Sequence, residues 1–103
     1  MDNLGFLGIH EYEINRAIER AENAMKREGF NDEKINDMHS MVFEELKETG
    51  SWEDITNSII GSYFIVTADF INDKHSDSQY ATYYVNGLDS HFYLNGEEVY
   101  WVC

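Results

Sequence analysis

The chain reads as an α+β domain: three helices packed on one face of a three-stranded antiparallel β-meander. Two observations carry that expectation. Residues 51–73, SWEDITNSIIGSYFIVTADFIND, set apolar side chains at steps of three and four, the period of a helix packed into a core. After residue 78 the period falls to two, and two Asn-Gly pairs, Asn86-Gly87 and Asn95-Gly96, separate strand-like runs. Asn-Gly is the strongest short hairpin signal, because both residues tolerate the positive φ of a type I′ turn. The 103 residues are enough for one core and too few for two, so residues 1–73 and 79–102 are expected to share a single domain.

Residues 1–9 form an apolar arm with two glycines. The first helix is expected over 10–28, with Ile14, Ala17, Ile18, Ala21, Ala24 and Met25 on one side. Gly29 suits a left-handed stop. The second helix spans about 32–48. Asn31 is placed as its N-cap, and Phe30 and Ile35 as a hydrophobic staple across it. Ile35, Met38, Val42 and Leu46 make its buried line, with Met41 and Phe43 beside it.

The third helix, 51–73, starts from a cap of Ser51 and Asp54. It carries two apolar rows, Trp52-Ile55-Ile59-Tyr63-Val66-Phe70 and Ile60-Phe64-Thr67-Ile71. A rival reading ends a short helix at Gly61 and makes 62–71 a fourth strand, since Tyr63 to Thr67 are aromatic and β-branched.

The strands are expected at 79–85, 88–94 and 97–102. Two-residue turns would set Tyr83 opposite Ser90, Ala81 opposite Phe92, Leu94 opposite Glu97 and Phe92 opposite Val99. One face then shows Ala81, Tyr83, Val85, Leu88, Phe92, Leu94, Val99 and Trp101 to the core. The other shows Tyr80, Thr82, Tyr84, Asp89, His91, Tyr93, Glu98, Tyr100 and Val102.

The net charge is −13, and it is unevenly spread. All three arginines lie in the first helix region, whereas residues 30–103 hold 14 acids against Lys34, Lys47 and Lys74. Such a field repels nucleic acid and acidic membranes and attracts basic protein surfaces. The only cysteine, Cys103, excludes an internal disulfide and fits a reducing cytoplasm. The segment MDNLGFLGIH has no signal-peptide pattern, and no stretch has the composition of a membrane span.

Chemistry-bearing motifs are sparse. There is no phosphate-binding glycine loop, metalloprotease helix, paired-cysteine zinc site or nucleophile elbow. Asp73-x-His75-x-Asp77 starts like a calcium loop, but Ser78 and Tyr84 stand where that loop needs glycine and glutamate. No metal or cofactor is therefore expected. His91 with Asp89 offers an acid–base pair at most. The four tyrosines of the outer sheet face have the composition of an interface hot spot.

The leading expectation is a small, acidic, non-enzymatic inhibitor or binding protein. Its carboxylates would occupy a basic, nucleic-acid-binding groove on a protein partner, with no nucleic acid bound directly. In size and charge the chain looks like phage-encoded anti-CRISPR and anti-restriction inhibitors, some of which mimic DNA; the likeness covers bulk properties alone. The expected partner-binding residues are Asp37, Glu44, Glu45, Glu48, Glu53 and Asp54 on the helices, and Tyr80, Tyr84, Asp89, Tyr93, Glu98 and Tyr100 on the sheet. Carboxylates three and four apart on a helix lie about 5–6 Å apart, close to the phosphate spacing that Lys/Arg rows hold. Two other readings stand: a homo-oligomeric domain burying the tyrosine face, and a small enzyme or ligand binder using His91 and Asp89.

Overall fold

A computed structural model describes residues 11–49, 55–85 and 89–102, with backbone alone for Thr49, Trp101 and Val102. The element order is α1 (Glu11–Arg27), α2 (Asp32–Thr49), α3 (Ile55–His75), β1 (Ala81–Tyr84), β2 (Ser90–Leu94) and β3 (Glu97–Val102). The strands pair antiparallel in the order β1-β2-β3. The fold is thus the expected α+β arrangement, and residues 62–71 are helix, not a fourth strand.

Helix α3 organises the packing because both of its apolar rows are used. Tyr63 and Val66, with Ile59 and Phe70 beside them, meet Met25 of α1 and Ile35, Met38 and Val42 of α2. Ile60, Phe64, Ala68 and Ile71 meet Ala17 and Ala24 of α1 and Ala81, Phe92, Leu94 and Tyr100 of the sheet. Helices α1 and α3 touch the sheet, while α2 packs chiefly on α3. A helix apolar on two sides belongs in the interior, and even Ser62 and Thr67 are buried here. On α2, Met41 and Phe43, expected beside the buried line, are exposed.

Local chemistry sets the helix ends. Phe30 N–H donates to Met25 O and Gly29 N–H to Lys26 O, both at 3.0 Å, with Gly29 at φ 90°. That is a Schellman motif closing α1. Asn31 Oδ1 accepts from Lys34 N–H at 3.0 Å, the expected N-cap of α2. The expected cap at Ser51 and Asp54 lies outside the described residues. Helix α3 ends in a second Schellman pair, Asp77 N–H to Asn72 O and Ser76 N–H to Asp73 O. Here the left-handed position is held by Ser76, at φ 53°. A side chain disfavours that conformation, so Ser76→Gly is expected to stabilise the fold by about 1 kcal/mol. A thermal melt that falls, or does not move, would contradict it.

The second hairpin forms as expected, with Asn95 and Gly96 both at positive φ and Leu94 opposite Glu97. The other register expectations need correction. Ala81 pairs with Leu94 and Tyr83 with Phe92, two residues from the expected pairing. The link between β1 and β2 is therefore longer than a two-residue turn; Asn86, Gly87 and Leu88 lie outside the described residues. Between β2 and β3 the register shifts at Phe92/Tyr93, so Phe92 faces Tyr100 rather than Val99. An extra residue in one strand turns the residues beyond it to the opposite face. Tyr100 consequently turns into the core at 2% exposure, against its expected place on the outer face. Tyr83, expected in the core, is 44% exposed at the sheet edge.

Candidate functional site

A groove of about 550 Å³ runs between the end of α3, the 76–80 loop and β1. Asp69, Asp73, Asp77, Asn72, Ser76 and Tyr83 are among its lining residues, and none of the residues lining it is a lysine or arginine. Asp69 and Asp73 stand one helical turn apart and are exposed. Asn72 shapes the floor. Its amide donates to Ala81 O at 3.1 Å and to Ser78 O at 3.3 Å, and its carbonyl accepts from Ala81 N–H at 2.6 Å. One side chain thus fixes both the loop and the start of β1.

The basic side chains at the end of α3 are drawn to the other side. Lys74 Nζ donates to the Glu28 carbonyl and lies 5.0 Å from the centre of the Phe30 ring. His75 Nε2 meets Glu28 Oε1 at 2.6 Å, and the imidazole stacks on Tyr80 at 3.8 Å between centroids. The Tyr80 hydroxyl also donates to Glu28 Oε2, at 3.3 Å. Glu28 so collects Lys74, His75 and Tyr80, and the charged residues that line the groove are all acids: Asp69, Asp73 and Asp77. Partial burial, then the charge of Glu45 on α2, raises the Asp69 carboxyl above the usual aspartate range. Asp69 is thus close enough to α2 to feel the charge of Glu45.

Of the sequence-expected acids, Asp37, Glu44 and Glu48 are exposed on α2, and Glu45 is half-buried. Glu44 lies 3.4 Å from Lys47, an exposed pair of little energetic weight. Glu53 and Asp54 lie outside the described residues. Asp69, Asp73 and Asp77 were not among the expected site residues, although their spacing of four along α3 and its exit was the available signal.

On the outer sheet face the expected tyrosines divide. Tyr84 is 49% exposed and Tyr93 half-buried. Tyr80 is half-buried and engaged with Glu28 and His75. Tyr100 is in the core, where its hydroxyl donates to Glu13 O at 3.3 Å and burial pushes it up to about 12.

His91 sits at the centre of that face, opposite Tyr84 on β1. Nδ1 meets Glu98 Oε1 at 2.7 Å, and Nε2 meets Asp89 Oδ1 at 2.9 Å. The Glu98 contact first, then that of Asp89, raises His91 above the ordinary imidazole range. Stabilisation from these pairs is complete below the ordinary range and fades as pH rises through the raised value. A ring held by two carboxylates in this way has no lone pair left for a base.

A second histidine ties the helices. His39 of α2 meets Glu22 Oε2 of α1 at 2.8 Å and the Tyr63 hydroxyl of α3 at 3.0 Å. Burial first, then Glu22, raises the Tyr63 phenol. A phenol so placed is a poor nucleophile, and the trio acts as a polar link across three helices. Among the described residues, no group of three or more His, Cys, Asp or Glu side chains is arranged to hold a metal ion. Among them, too, no helix is long and apolar enough to cross a membrane. No protein-family model, curated protein or solved structure matches the chain.

Proposed function

We propose that this is a non-enzymatic binding protein that docks on a basic, nucleic-acid-binding groove of a protein partner and keeps nucleic acid out of it. The observation that supports this most is the groove lined by Asp69, Asp73 and Asp77 and by no lysine or arginine. Like charges held close together cost stability, and a cationic partner relieves that cost on binding. Rows of lysine and arginine that hold a phosphate backbone are partners of the right sign and spacing. Size and net charge suit an anti-defence inhibitor of the anti-CRISPR or anti-restriction kind.

The test is competition. Proteins retained from a host lysate by the immobilised chain are expected to elute with duplex DNA and with salt, while the chain itself gives no gel shift with DNA at low ionic strength. A bare-DNA shift, or retention indifferent to both DNA and salt, would remove this reading.

A further inference from the structure

The outer face of the sheet carries a second arrangement, independent of the groove. The His91 imidazole lies edge-on to two carboxylates, one at each ring nitrogen. Two phenol rings flank it: Tyr84 across the strand pair at 6.1 Å between centroids, and Tyr93 along β2 at 6.2 Å with planes 13° apart. Both nitrogens can donate only if the ring carries a proton on each. The site is thus a cage for a planar cation, with a cation of the chain's own inside it.

Planar, doubly donating cations beside carboxylates and aromatic rings are what arginine supplies to a partner. We propose that Tyr84, Tyr93, Asp89 and Glu98 form a binding site for an arginine side chain of a basic protein segment, and that the His91 imidazolium is its internal competitor. The groups facing His91 are Asp89 and Tyr93 from its own strand and its approach, Tyr84 from β1 and Glu98 from β3. Asp89, Glu98 and Tyr84 are exposed, so a guanidinium has access. Among the described residues the helices pack on the opposite face. When His91 loses its proton, one carboxylate loses its donor and the face gains a negative charge. Arginine keeps its charge throughout that range, so it enters as His91 is neutralised.

The experiment uses the whole protein, a capped tetra-arginine peptide and NMR at two fixed pH values. In the free protein at about pH 6 both His91 ring nitrogens are expected to carry protons. Peptide-induced shifts at Tyr84 and Tyr93 are expected to be strong at about pH 9 and weak at about pH 6, with affinity at that site differing by about fivefold or more. H91Q is expected to bind at the lower pH as the native chain does at the higher. D89N/E98Q is expected to lose the tyrosine shifts at both. A neutral His91 ring in the free protein, H91Q with native pH dependence, or binding that leaves Tyr84 and Tyr93 unmoved would overturn the proposal. The last result would assign the peptide to the acidic groove instead.

Discussion

Truncating Phe64 to alanine is expected to destabilise the fold by about 4 kcal/mol. The side chain is 1% exposed and stands where α3 meets the sheet. Its ring lies 5.3 Å from that of Phe92 and 5.2 Å from that of Tyr100, the latter edge-to-face at 86°. Removing it takes away the apolar transfer term and leaves a cavity between α3 and β2 that a paired sheet is too stiff to close. A domain of this size has about 5–15 kcal/mol in all, so the variant should lose a large share of its stability. Urea titration followed by circular dichroism reads the loss directly. Phe70→Ala is the control, because Phe70 is only half-buried, edge-on to Phe30 at 6.2 Å. Equal losses for the two variants would mean that the sheet-side core is not the principal one.

Reversing Asp69 and Asp73 together to lysine is expected to lower affinity for a basic partner by roughly 1–3 kcal/mol, mostly through slower association. These two carboxylates line the groove, and Asp69 feels the charge of Glu45. Reversal at Glu44 and Glu48 tests the exposed acids of α2, and reversal at exposed Glu19 of α1 is expected to do little. The effect should shrink when salt is raised from about 0.05 to 0.5 M, since exposed charges are then screened within a few ångströms. Binding unchanged by both double reversals and by salt would end the charge-mimicry reading and leave the fold untouched. Fold and charge are separable here, because neither aspartate belongs to either core cluster.

The sequence was most informative where a single period dominated. The two apolar rows of residues 51–73 became the two core surfaces of α3, with the 59-63-66-70 row toward α2 and the 60-64-71 row toward the sheet. Gly29, Asn31 and Asn95-Gly96 did what their backbone chemistry requires. The last strand was ambiguous because Val99, Tyr100, Trp101 and Val102 are all apolar or aromatic, so alternation could not choose a face. The bulge decided it, and Tyr100 gained a carbonyl partner inside the core. The groove was illegible for another reason. Asp69, Asp73 and Asp77 each read as ordinary wet positions on a helix and its exit. They line a groove without lysine or arginine because Glu28, 46 and 47 residues before Lys74 and His75, draws those two side chains away. No local pattern carries information over that distance.

The contact between α1 and β3 has a kinetic consequence. Glu13 accepts from the Tyr100 hydroxyl across 87 residues, and Arg27 meets Glu97 at 2.8 Å across 70. The helix pair α2–α3 and the meander can each assemble from neighbouring segments, whereas this junction joins almost the first described helix turn to the last strand. Its closure is the slowest search the chain has to make. During synthesis the part of α1 that meets the sheet is therefore complete long before β3 has left the ribosome. That interval is the chain's period of greatest exposure to aggregation and to chaperones.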